Sequence, residues 1–179
     1  MSKRILPIVA VVLAASTAAF ASSVHLKNFA NPTFTDNGLT LTASGALAGL
    51  GVGDVLVNLA ATANATAICT NPSGQHQPPG QNPAPVTVAG SEAIPASEVK
   101  NGTVAFSVTT NPPVTPIPGA PGCPNKNWTE TITDLSFTGA TITVQQGSPP
   151  ATELTVPCTF APPTSDGTVP KSQVTCKSK

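Results

Sequence analysis

Between residues 54 and 70, apolar and polar side chains alternate, and this constrains the fold more than any other feature of the chain. Val55, Val57, Leu59, Ala61, Ala63, Ala65, Ala67 and Cys69 occupy the odd positions, while Asp54, Asn58, Thr62, Asn64, Thr66 and Thr70 make most even positions polar. A period of two over this length is a strand with one dry face. A helix would spread the same residues around its circumference. Strands usually run about 5–6 residues, so one this long is expected to bend at a bulge, here among its alanines.

Further two-residue periods occur at Leu39, Leu41 and Ala43, at Val104, Phe106 and Val108, at Ile142 and Val144, and at Leu154, Val156, Cys158 and Phe160. Val24 and Leu26 open the series, Val86 and Val88 make a short strand, and Val174 and Cys176 close it. Residues 128–133 read as one more strand, followed by a bend at Ser136, Phe137, Thr138 and Gly139. Asp36-Asn37-Gly38 is a turn signal ahead of the Leu39 strand. The one helix candidate is 95–99, with Pro95 at its first position. Two stretches must leave the sheet because proline donates no ladder hydrogen bond. One is 71–85, with Pro72, Pro78, Pro79, Pro83 and Pro85; the other is 111–127, with Pro112, Pro113, Pro116, Pro118, Pro121 and Pro124. Both exceed ordinary connections. The fold class expected is all-β: a single antiparallel β-sandwich, immunoglobulin-like in the loose sense, with two long Pro-rich loops.

The N-terminus has the layout of a cleaved secretory signal. Lys3 and Arg4 precede an apolar run over 5–20, and Ala19-Phe20-Ala21 supplies small residues for cleavage. The expected organisation is therefore a signal peptide at 1–21 and one domain at 22–179. Export to the extracellular space, or to the periplasm of a double-membrane bacterium, makes the four cysteines candidates for disulfides. Four half-cystines allow three pairings. Cys69 ends the long strand beside one Pro-rich loop and Cys123 lies in the other, while Cys158 and Cys176 sit on the last two strands; this placement favours Cys69–Cys123 and Cys158–Cys176. A thiolate metal site would need closer spacing, and no Cys-x-x-Cys is present.

After residue 21 the chain has six lysines, no arginine and eight carboxylates, a net charge of −2. Nucleic-acid binding needs a basic stripe and arginine forks, so that class is excluded, and a basic membrane-surface helix fails for the same reason. No anchor motif follows the expected cleavage site, and the last residues are polar. Catalysis has little to draw on. His25 and His76 are the only histidines, and no Gly-x-Ser-x-Gly elbow occurs. Glu130 and Asp134, four apart on a strand, would stand about 13 Å apart, too wide for a glycosidase pair, and read as solvated side chains. Asp36-Asn37 is too thin a run of oxygen ligands for calcium. No cofactor is expected.

Trp128 is the lone tryptophan. It can serve as a stacking platform for a sugar or as a core residue packed by a disulfide, and the absence of tyrosine favours the core. The sequons at Asn64, Asn101 and Asn127 are common in a chain so rich in Asn and Thr.

Cys69-Thr70-Asn71-Pro72, Gln81-Asn82-Pro83-Ala84-Pro85 and Pro121-Gly122-Cys123-Pro124-Asn125 with Asn127-Trp128 resemble a group of small secreted microbial proteins with no described activity. The resemblance covers most of the chain after the signal, all four cysteines included, and implies an exported β domain without any substrate or site. The expectation for function is a non-catalytic extracellular module that meets a surface or matrix partner, protein or glycan, through its loops. Two alternatives are a carbohydrate-binding module, using Trp128 with Asn71, Gln75, Gln77, Gln81 and Asn82, and a small secreted hydrolase using His76. Trp128, His76, Gln75 and Gln77 are the candidate ligand contacts.

Overall fold

The computed structural model describes residues 23–80 and 83–178; the signal expected at 1–21 lies outside the described residues. Eleven strands form two antiparallel sheets: β1 (His25–Leu26), β2 (Thr33–Asp36), β3 (Leu41–Ala48), β4 (Val55–Thr70), β5 (His76–Gln77), β6 (Val86–Ile94), β7 (Val104–Thr109), β8 (Thr129–Gln146), β9 (Ala151–Phe160), β10 (Gly167–Thr168) and β11 (Val174–Cys176). One sheet runs β1-β3-β2-β10 with β7 also on β3. The other runs β11-β9-β8-β4-β5 with β6 also on β4. No helix among the described residues is long and apolar enough to cross a membrane.

Strand β4 follows its alternation: every odd position from Val55 to Cys69 is buried and every even one is not. Its neighbour β8 differs from the sequence expectation. Residues 129–146 form one strand, not a short strand followed by a bend. Two extra residues hide the period. Opposite Thr62 and Ala63 the register steps from Gly139 to Phe137, and opposite Thr66 and Ala67 it steps from Asp134 to Ile132. Thr138 and Thr133 are thereby bulged out of the pairing. Their hydroxyls donate to the carbonyls of Thr62 (3.2 Å) and Thr66 (3.3 Å), so each bulge is fastened to the strand it departs from. Strand β6 runs nine residues, beyond the expected Val86 and Val88, and the helix expected at 95–99 is a single 3-10 turn over Ala96–Glu98, preceded by Pro95.

Inward-facing residues of both sheets form one apolar cluster, with Phe34, Leu41, Leu47 and Val108 from one sheet and Val57, Leu59, Phe137, Ile142 and Val156 from the other. Phe34 and Phe160 meet edge to face at 5.0 Å between ring centroids. After β9 the chain crosses to β2 to form β10, with Val169 N–H donating to Phe34 O (2.9 Å), and then returns to pair β11 with β9.

Beyond Gly139, β8 pairs with β9 on the side away from β4; before it, that edge has no strand partner among the described residues. Loops cover it instead. Ile117 N–H donates to Glu130 O (2.7 Å), Ile132 N–H to Thr115 Oγ1 (3.0 Å), Leu135 N–H to Gly38 O (3.0 Å) and Phe137 N–H to Thr164 Oγ1 (2.8 Å). An edge covered in this way offers no template for a foreign strand.

The sheets also approach each other where β6 runs beside β7. Asn111 N–H donates to Ala89 O (2.9 Å), and Gly90 faces the backbone of Thr109 and Thr110. A Cβ on Gly90 would overlap the Thr109 carbonyl and lie 2.9 Å from Thr110 Cα. Backbone cannot yield as a side-chain tip can. Gly90→Ala is therefore expected to destabilise by about 1–3 kcal/mol or more, as overpacking does. Urea unfolding checks this through a lower midpoint at unchanged slope.

Cys69 bonds to Cys123 and Cys158 to Cys176, the pairing that strand placement predicts. The second bridge joins directly opposed residues of β9 and β11. The first reaches out of the sheet and fixes the segment that walls the candidate site.

Candidate functional site

The site grows from the half of β4 where its apolar face shrinks. Val55, Val57 and Leu59 give way to Ala61, Ala63, Ala65 and Ala67 on the same face. Ala63 lies opposite Val86 of β6, and Ala67 lies opposite Ile132 of β8. Val86 and Ile132 reach the groove from those two flanking strands, and the 111–127 segment docks on the edge of β8. The result is a groove of about 570 Å³ lined by Pro83, Ala84, Pro85, Val86 and Thr87 on one side, Glu130 and Ile132 on the other, and Pro113, Val114, Ile117, Pro121 and Gly122 from the docked segment.

That segment is held at four points. Ile117 N–H and Thr115 Oγ1 dock on the edge of β8, Gly122 N–H donates to Glu130 Oε2 (2.9 Å), and Cys123 is bonded to Cys69. Proline restricts φ along the segment, so little freedom remains to be lost on binding.

Glu130 corrects the sequence expectation of a solvated carboxylate, being only 1 % exposed. Its position shares parity with Ile132 on β8, and the dry face claims it despite its charge. The Gly122 amide serves Oε2. Oε1 carries no hydrogen bond among the described residues, and Glu130 is one of the residues that line the groove. Val114, at the mouth, is 80 % exposed.

No family model, no curated protein and no solved structure matches this chain. The site is therefore read from its own chemistry.

Of the candidate ligand contacts read from sequence, none among the described residues lines this groove. His76 and Gln77 form β5, opposite Thr70 and Cys69 of β4. Trp128 immediately precedes Thr129, which also opposes Thr70, so His76 and Trp128 flank the same end of β4. Trp128 is half-buried and outside the apolar cluster, which corrects the core placement favoured from sequence. It stands just before β8, after a turn closed by its own N–H on Asn125 O (3.1 Å), and this keeps it at the sheet's end. His76 Nδ1 lies 2.9 Å from the Thr70 hydroxyl. Asn71 Oδ1 accepts the N–H groups of Ser73 (3.0 Å) and Gln75 (2.8 Å), and Asn71 Nδ2 donates to Gln75 Oε1 (3.2 Å). Those two amides build the β4–β5 turn. Gln77 is exposed and borders a smaller cleft of about 320 Å³ with Pro78, Gly80 and residues 121–124. Gln81 and Asn82 lie outside the described residues. His25 stacks on Phe29 at 5.2 Å.

A second large cleft, about 740 Å³, lies at the far end of β4 around residues 49–53 and Gln146. The Gln146 amide is fully engaged there, accepting from Gly51 N–H (2.9 Å) and donating to Gly51 O and Gly53 O (both 3.2 Å). It pins the 51–53 loop to the end of β8.

Asp36 is the other buried carboxylate, 2 % exposed at the end of β2. Gly38, at φ +80° in the turn, donates its N–H to Oδ1 (3.0 Å), and the Thr164 hydroxyl donates to Oδ2. Burial raises the Asp36 pKa above the ordinary carboxylate value; the Thr164 and Gly38 bonds pull it back, and Asp166 and Asp134 push it further up. Among the described residues no group of three or more His, Cys, Asp or Glu is arranged to hold a metal.

Proposed function

We propose that this protein is a non-catalytic binding module, exported to an oxidising compartment, that takes an apolar partner into the groove between β6, β8 and the 111–127 segment. The observation that carries this reading is the combination of an apolar lining with a wall fixed by the Cys69–Cys123 bond and three hydrogen bonds. Its volume of about 570 Å³ lies in the range of small-ligand sites, ~300–1,000 Å³. A preformed site loses little entropy on binding. The fold that accompanies this function is a β-sandwich, immunoglobulin-like in the loose sense, with Pro-rich loops gathered at one end. Its support is the shared apolar cluster and the Phe34–Phe160 contact between sheets. Two disulfides fit an extracellular or periplasmic location, and the signal layout at 1–21 supplies the route.

Nile red tests the groove directly. Its emission is expected to rise and move to shorter wavelength with the oxidised protein, and to respond about tenfold more weakly with Val114→Glu, which places a charge at the mouth. No response, or one that Val114→Glu leaves intact, removes the groove from the account.

One observation favours a second reading. His76 and half-buried Trp128 flank the same end of β4, as a small glycan platform would require. Sugar-dependent Trp128 emission would mark it.

A further inference from the structure

The groove is lined mostly by apolar residues, and the one charged side chain among its described lining is a carboxyl. Glu130 is 1 % exposed, lines the groove, forms no ion pair among the described residues, and has one oxygen bonded to the Gly122 amide and no bond on the other. Around it stand Pro85, Pro113, Ile117, Pro121 and Ile132. A carboxylate withdrawn from water with a single donor is poorly compensated, and a cation brought to its free oxygen supplies what the protein does not. Charge-assisted bonds of this kind are short and about twice as strong as neutral ones. The hydrocarbon walls meanwhile favour an apolar body of matching size.

From this charge complementarity we infer that the groove binds a small amphiphilic amine, an alkylammonium whose head meets Glu130 Oε1 and whose chain lies along the prolines. The inference rests on the binding-module reading and names its ligand class. Specificity follows from both parts: an alcohol of the same length lacks the charge, and a carboxylate of the same length meets like charge at Glu130. A small polar cation lacks the apolar body.

Titration calorimetry on the full-length oxidised protein with n-octylammonium, n-octanol and n-octanoate tests this. Octylammonium is expected to bind at least tenfold more tightly than octanol, and octanoate more weakly than either. Glu130→Gln keeps an oxygen for the Gly122 amide and removes the charge, so it should erase the preference for the ammonium and bring octylammonium and octanol to similar affinities. If Glu130→Gln does not fold, Val114→Lys decides: a lysine at the exposed mouth should weaken octylammonium at least tenfold more than it weakens octanol. Equal affinities for octylammonium and octanol overturn the amine inference and leave the groove reading standing. Octanoate as the tightest ligand overturns it as well. If none of the three binds, both readings fall.

Discussion

Replacing Cys69 and Cys123 together by alanine is expected to lower the melting temperature by about 8–16 °C. The bond closes a loop with a sequence separation of 54 residues. The chain-entropy relation assigns such a loop about 4 kcal/mol at 25 °C, and a domain of this size loses about 2–4 °C per kcal/mol. Cys158–Cys176 spans only 18 residues between strands already laddered together, so its removal should cost less, about 3 kcal/mol. The two double mutants differ in a second respect. Without the first bond, the segment beside Glu130 is left with hydrogen bonds alone, and Nile red binding should weaken along with stability; without the second it should not. Calorimetry and dye titration on both proteins check the pair of statements. A larger loss from Cys158 and Cys176 would contradict the assignment.

The second large effect concerns Thr164. Its hydroxyl donates to Asp36 and accepts from Phe137 N–H (2.8 Å), while its own N–H donates to Phe137 O (2.9 Å). One buried side chain thus ties β2 of one sheet to β8 of the other. Thr164→Val keeps the shape and leaves a buried carboxylate oxygen and a buried amide without partners, each worth about 1–3 kcal/mol, for a loss of about 4 kcal/mol. The loss should depend on pH. Asp36 has a folded-state pKa raised above its unfolded value, so its ionisation opposes folding above the folded pKa. That opposition fades as pH falls through the raised value toward the ordinary one near 3.8. Removing the Thr164 bond, which lowers the pKa, widens the gap. The variant should therefore be most impaired at neutral pH and recover part of its deficit on acidification. Urea midpoints at pH 7 and near pH 4 check the sign, and a deficit that grows on acidification would contradict it.

What the sequence made legible follows the burial physics of each segment. β4 announces itself because its entire dry face is apolar and only its partner absorbs the bulges. β8 conceals itself because Thr133 and Thr138 each insert one residue and shift the period. Glu130 reads from sequence as a solvated side chain too far from Asp134 to work with it, whereas its two-residue spacing from Ile132 matches its place on the dry face. The disulfides were legible from strand placement. The groove was not, since it gathers residues 83–87, 113–122 and 130–132 from three distant stretches, held by backbone bonds that no side-chain pattern encodes. Asn71 and Gln75, attractive as sugar-binding amides, proved to be the hydrogen bonds of a turn.

The most direct test of the binding-module account is a map of backbone amide shifts in the oxidised protein, titrated first with a neutral aliphatic alcohol and then with a panel of soluble glycans. The account predicts that the alcohol moves residues 86–87, 114–117, 122, 130 and 132 and leaves the outer sheet faces unchanged, with no response to glycans. Shifts confined to His76, Gln77 and Trp128, produced by a glycan and not by the alcohol, would contradict it and assign the function to the end of β4 instead.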